Sequence, residues 1–290
     1  MDTSFTSITF PDDYRKKIRQ MKQAMREQIG DVEGLFKQIC DKIEQELSAV
    51  REDEKNAGSA WPEIHWRDLA ENRVTAEAIQ KIKRRRYLVI RQNFPRDTAL
   101  AWDKSIRDYL DLNHFDDVYQ NAGDNYFGSL ETSRPEIYPI YWSQAQMQAR
   151  QSEAIAYILL RPLLKDVPED ELCGVAPSKA LPTSEKWHPH LARGLCSIPS
   201  LQAGDSVWWH CDLIHSVAPV ENQQGWGNVM YIPAAPRCDR NLMYAHKVAE
   251  SLKNGTSPAD FAREDYEKNW EHRFTAAELN SIGLRGLGSS

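Results

Sequence analysis

The chain has 290 residues, with 42 acidic and 36 basic side chains, a net charge of −6 and a mean hydropathy of −0.62. That length buries a substantial core, in one large domain or one and a half. The acidic balance disfavours nucleic acid as the main partner, because neutralising phosphates takes a basic excess. No apolar run approaches the length of a membrane span, so no membrane partner is expected. The N-terminus carries neither the basic nor the apolar region of a secretory signal. The cysteines (Cys40, Cys173, Cys196, Cys211, Cys238) are odd in number and scattered, without C-x-x-C spacing. They read as free thiols in a reducing compartment, and a cytoplasmic location is expected.

Residues 11–57 read as two helices. In the second, Val32, Leu35, Phe36, Ile39, Ile43, Leu47 and Val50 recur at three- and four-residue steps behind Asp31, a plausible N-cap. The stripe reads as an ordinary core-facing surface, with an interaction helix as the sharper alternative. Trp61–Trp66 is extended or turn-like. A short helix starts at about Thr75 and ends in the basic run Lys81–Arg86. That run reads as charges at a helix C-terminus guarding the following strand, Tyr87–Arg91, rather than as an anion patch.

Pro95–Thr98 opens another helix, running to about Leu112. Asn121–Asn125 is a loop. Ile137–Trp142 has strand character but contains Pro139, so it reads as an edge or irregular strand. Residues 143–165 read as helix, interrupted around Arg161-Pro162. The 196–235 region is β-like. Its best strands are Val207–His210 and Val229–Ile232, expected to be antiparallel neighbours joined across Pro219–Asn228. Helices follow at about 239–253, Ser257–Arg263 and Thr275–Ser281. Helical layers around a β centre make the fold class α+β.

The densest chemistry lies in Gly204–Pro219, where His210, Asp212 and His215 fall within six positions. Two imidazoles and a carboxylate are the ligand types of a facial Fe(II) site. On a strand, His210 and Asp212 share a face. All three ligands from one short loop would make a cramped site. A second H-x-D, His114-Phe115-Asp116, ends a helical run, where positions two apart point to different sides. A structural role is the plainer reading there. His188 and His190 lie on a polar loop without an obvious carboxylate, and His65, His246 and His272 are single. G-x-S-x-G, P-loop, G-x-G-x-x-G and paired-cysteine zinc patterns are absent.

From Arg134 to Met147, Arg161 to Leu164, Asp166 to Pro177, and Gly204 through Pro233, the chain resembles the YbiU-like proteins, a family of poorly defined function. That family in turn looks like the Fe(II)/2-oxoglutarate oxygenases. The resemblance implies a partial double-stranded β-helix (a jelly-roll, cupin-like core) flanked by N- and C-terminal helices. Residues 1–60 would form an N-terminal helical extension and residues 61–290 the oxygenase-like domain. It implies Fe(II) and 2-oxoglutarate as cofactors, and a small-molecule substrate that is hydroxylated or oxidatively demethylated.

Matched to the phytanoyl-CoA-dioxygenase pattern, His215 takes the place of the distal metal ligand. His210 and Asp212 are its neighbouring candidates, and the co-substrate contact falls at Trp226 and Asn228, where the usual arginine is missing. Family members are longer. Relative to them the chain lacks an internal segment near residues 150–156, which in them carries another H-x-D and further strands. Three outcomes follow from that departure: an oxygenase-family protein lacking part of its site, a metal binder without turnover, or a non-catalytic binding or assembly protein that keeps the family's shell. Exposed sheet edges left by lost strands also favour homo-oligomerisation.

Overall fold

The structure is a computed structural model that describes residues 12–118, 138, 140–155, 189–210, 213–215, 229–233, 238–259, 261, 263 and 265–288. In chain order the elements are α1 (Asp12–Ile29), α2 (Val32–Ala57), β1 (Glu63–His65), α3 (Trp66–Ala70), α4 (Ala76–Arg85), β2 (Tyr87–Arg91), α5 (Arg96–Leu112), α6 (Phe115–Val118), α7 (Gln144–Arg150), α8 (Pro189–Ala192), β3 (Ser206–Trp209), α9 (Asp239–Asn254) and α10 (Ser281–Gly286). Two compact units emerge. One holds the described parts of 1–60 and 183–197, the other those of 61–182 and 198–290.

In the first unit, Asp31 caps α2 as its position predicts, its side chain accepting from Gly34 N at 2.8 Å. The α2 stripe is only half covered. Leu47 is buried, whereas Val32, Leu35, Phe36 and Ile39 are exposed. The reading of one continuous core-facing stripe therefore holds for its C-terminal half alone. There Glu44 meets His190 Nδ1 at 2.8 Å and pairs with Arg193, which fastens α8 beside α2.

In the second unit β2 is the centre of a three-stranded sheet of order β1-β2-β3. β1 runs parallel to it, with Ile64 opposite Ile90, and β3 antiparallel, with Val207 opposite Val89. A parallel neighbour needs a crossover, and α3 with α4 supplies it. Thr75 caps α4 through Ala78 N, and Arg86 ends it at φ 63°. Lys83, Arg84 and Arg85 thus occupy the last turn before the strand, where a helix dipole favours cations. β2 is nearly all apolar because it is buried on both faces: Val89 is 0% and Ile90 2% exposed.

The main core sits under α5. Trp102, Ile106, Tyr109 and Leu110 recur at helical spacing and pack with Phe115, Ile140, Ala145 and Ala149. Phe115 meets Tyr138, Tyr266 and Trp270 edge-on, with ring centroids 5.1–5.5 Å apart. A second cluster joins Trp142, Met147, Leu252 and Phe274.

Several expectations change here. The described residues of Ile137–Trp142 form no strand. The N–H groups of Tyr141 and Trp142 go to the carboxylate of Glu267, and Trp142 O accepts from Phe274 N, so no sheet partner is needed. The run Val229–Ile232 also forms no strand among the described residues. Its burial still alternates, with Met230 and Ile232 packed on the core and Val229 and Tyr231 exposed, which is the pattern that suggested one.

The described residues of Ser257–Arg263 are not helical. Thr275–Ser281 is divided, with a 3-10 turn at Ala276–Glu278 closed by a Thr275/Glu278 capping box, and α10 starting afresh behind Asn280. A turn at residues 151–152 ends α7 and helix resumes over 153–155, so the helix expected over 143–165 is helical but interrupted in its described part. The architecture is α+β. The double-stranded β-helix expected from the resemblance is not formed by the described residues, which carry one small sheet instead of two facing ones.

Asn93, directly after β2, is 2% exposed, and both its side-chain amide atoms lack a hydrogen-bond partner among the described residues. A buried unpaired amide costs free energy that an apolar side chain of similar shape does not. Asn93→Leu is therefore expected to raise the urea-denaturation free energy by about 1 kcal/mol. A loss of that size would mean that the amide is paired after all.

Candidate functional site

The candidate site grows from β3. Gly204 and Asp205 make the turn that starts the strand. Gly204 has φ 95°, and a Cβ there would stand 2.3 Å from Phe94 O, so the close approach of the two segments requires glycine. Phe94 N donates back to Gly204 O at 2.9 Å. The Asp205 side chain is 3% exposed. It accepts from Gln92 N at 3.0 Å, Gln202 N at 2.9 Å and Arg91 at 2.7 Å. Burial pushes the Asp205 carboxyl up, but these donors and the Arg91 charge outweigh burial and hold it below its ordinary value. Arg91 also donates to Glu63 at 2.8 Å and to Ser200 O at 2.9 Å, and the Glu63 and Asp205 carboxylates raise its pKa. This lock fixes where β3 begins and hence where it ends.

β3 ends at the first histidine. His210 N donates to Arg86 O at 2.9 Å, so the ladder with β2 extends one residue past Trp209 and then stops. The His210 side chain is exposed there. His215 is exposed too, with its ring 5.6 Å from that of Trp209. Its Nδ1 lies 2.9 Å from Leu213 O. A carbonyl only accepts, so Nδ1 carries the proton and Nε2 keeps its lone pair outward. That orientation is the one metal-ligating histidines use.

Asp212, Trp226 and Asn228 lie outside the described residues, as does Cys211. Among the described residues no group of three or more metal-binding side chains comes together. They supply an oriented imidazole but not a ligand set that fits Fe(II).

The second H-x-D is not a ligand pair. His114 sits at φ 49°, just past the C-cap Asn113 of α5, and its side chain is 80% exposed. Asp116 is exposed on α6 while Phe115 between them enters the core. The motif is a helix-end turn around a core aromatic. His190 serves the ion pair with Glu44, and His65 starts α3. Cys40, Cys196 and Cys238 form no disulfide among the described residues.

A cleft of about 240 Å³ opens beside β1, lined by Glu63, His65, Asp68, Arg73, Thr75 and Arg91, among others. Its cations are already engaged: Arg91 with Glu63 and Asp205, Arg73 with Asp68 and Glu71. It therefore offers an anion no bare charge.

One polar centre escaped the sequence reading. Glu267 is 2% exposed and accepts from Tyr109 Oη at 3.0 Å, from Trp142 N at 2.9 Å and from Tyr141 N. Burial pushes its carboxyl up to about 7, against the pull of these donors and of nearby Arg150. The local pattern Tyr266-Glu267-Lys268-Asn269 reads as solvated. Only the flanking aromatics Tyr266 and Trp270 hinted at a core position.

The chain is 43% identical to the "Uncharacterized protein YbiU" of Escherichia coli (strain K12) over 418 residues, spanning 99% of each. The crystal structure of hypothetical protein JW0805 from Escherichia coli superposes with a TM-score of 0.79 at 41% identity, covering 98% of this chain and 100% of that one. The structure named "Putative Oxidoreductase from Salmonella typhimurium LT2" reaches 0.82 at 42% identity, covering 98% and 99%. No helix among the described residues is long and apolar enough to cross a membrane. The sequence profile of the Gig2-like family matches residues 12–155 and again 151–289, so with its YbiU relative this chain belongs to that Gig2-like family.

Proposed function

We propose that this chain is an oxidoreductase-family polypeptide of the Fe(II)/2-oxoglutarate oxygenase type that lacks the central part of its site, and that it does not turn over by itself. One observation carries the reading. The alignment with the Escherichia coli relative runs over 418 positions against 290 residues here, and the two profile matches meet at 151–155. Both support a missing internal segment at that point. The neighbour named an oxidoreductase supports the reaction class.

In this reading His215 is the distal ligand, with its Nε2 free to bind. His210 and Asp212 stand beside it, and Trp226 with Asn228 border the co-substrate. Iron and 2-oxoglutarate would supply the oxidant for hydroxylation or demethylation of a small molecule. The remaining two ligands of the facial set belong to the absent segment.

Anaerobic titration with Fe(II) and a succinate-release assay test the proposal. Losing even outer support for a ligand costs about 10–100-fold in affinity. Losing ligands outright should leave binding at least that weak, with no 2-oxoglutarate-dependent succinate. Grafting the intervening segment of the Escherichia coli relative between Ser152 and Glu153 should restore Fe(II) binding that His215→Ala abolishes. Tight stoichiometric binding and succinate formation by the chain as it stands would overturn the reading.

A further inference from the structure

α7 ends on a cation without a counter-charge of its own. Arg150 is the last residue of that helix, and protein surrounds its guanidinium on most sides. Burial lowers its pKa, because a charge taken out of water loses its solvation. Nη1 donates to Tyr141 O at 3.0 Å and to Met147 Sδ at 3.7 Å, and both acceptors are uncharged. Nε and Nη2 make no hydrogen bond, and neither is sealed from solvent.

Among the described residues, the acidic group that bears on Arg150 is Glu267. Its carboxylate oxygens are already taken by Tyr109 Oη and by the N–H groups of Tyr141 and Trp142. Burial also pushes that carboxyl up to about 7, so near neutrality it carries only part of a charge. Tyr141 and Tyr244 act on Arg150 as well, but a phenol is neutral at that pH. An arginine enclosed to this degree is ordinarily paired.

The unused edge specifies the ligand. Nε–H and one Nη2–H form the side-on fork of a guanidinium, which matches the two oxygens of a planar carboxylate. One cation balances one negative charge, and a second would face Glu267 unpaired. The surroundings are aromatic. The Tyr141 ring lies 5.1 Å from that of half-exposed Phe261, and Tyr244, on α9, keeps open surface too.

We infer that Arg150 binds the carboxylate of a small aromatic monocarboxylic acid through its Nε and Nη2 edge, with Tyr141, Tyr244 and Phe261 beside the organic part. Neither iron nor His215 takes part, so the site is tested apart from the oxygenase reading.

Isothermal titration of the full chain at pH 7 with benzoate, acetate and inorganic phosphate is the experiment. Benzoate should bind one to one. Acetate lacks the ring and phosphate carries a second charge, so each should bind at least about tenfold more weakly. Arg150→Lys keeps the charge but loses the fork, and should weaken benzoate binding at least about tenfold. A second measurement needs no variant to fold. Benzoate should slow the modification of Arg150 by phenylglyoxal, read by peptide mass spectrometry, in step with occupancy of the site. No benzoate binding, phosphate as tight as benzoate, or wild-type affinity in Arg150→Lys would each overturn the inference. So would benzoate binding that leaves Arg150 unprotected.

Discussion

Glu267→Ala is expected to destabilise the second unit by about 3–5 kcal/mol, the range for removing one partner from a buried charged network. The carboxylate holds the N–H groups of Tyr141 and Trp142 and the Tyr109 hydroxyl, and joins three parts of the chain far apart in sequence. Alanine leaves those donors buried with no acceptor, each costing about 1–3 kcal/mol. Glu267→Gln keeps an acceptor oxygen and should cost less.

The pH dependence separates charge from shape. Burial raises the folded-state value to about 7 from an ordinary 4.5, so the folded state holds a proton that the unfolded chain has released. The contribution is fully present below pH 4.5 and lost as pH rises through about 7. Within that window, stability should fall by up to about 1.4 kcal/mol per pH unit from this group. Urea denaturation across pH 4–8 should show the slope in the wild type and its absence in Glu267→Gln. Parallel profiles would show that the carboxylate does not titrate there.

The parts of the fold that local rules govern were legible in the sequence. β2 falls at Tyr87–Arg91 because an apolar run between a helix end and a turn has few alternatives. Asp31 and Thr75 cap the helices their spacing implies. What failed depends on partners distant in sequence. Ile137–Trp142 has strand composition, but its N–H groups found a carboxylate some 125 residues away. Val229–Ile232 alternates as a strand does, yet its inward residues meet α5's cluster without a described ladder.

The candidate site was legible as a motif and less so as a geometry. His215 came out with its Nε2 lone pair outward, a detail set by the Leu213 carbonyl that no spacing rule reveals. His114-Phe115-Asp116 has the same H-x-D letters, and the core demand of Phe115 turns it into a helix end. The Gly204-Asp205 pair has turn character by composition alone, while the role of Asp205 as acceptor for Arg91 depends on a strand 114 positions away.

Asp205→Ala should detach β3 from the sheet's centre and cost about 3 kcal/mol. Its carboxylate is the common acceptor for Gln92 N, Gln202 N and Arg91. Without it two backbone N–H groups lose their partner, and Arg91 keeps only Glu63 and Ser200 O. The ladder from Ser206 to His210 begins at this turn, so the imidazoles of His210 and His215 lose their anchor as well. Amide exchange should accelerate across residues 87–91 and 206–210 before the α5 core responds.

The acid dependence runs opposite to that of Glu267. The donors hold Asp205 below its ordinary 3.8, so its contribution is present above that pH and lost as pH falls further. Asp205→Ala should flatten the acid limb of the stability profile, where Glu267→Gln flattens the limb toward neutrality. If Asp205→Ala left both amide protection of β3 and the acid limb unchanged, the turn would be held by Gly204 and Phe94 alone, and the buried ion pair would be incidental to the position of the candidate site.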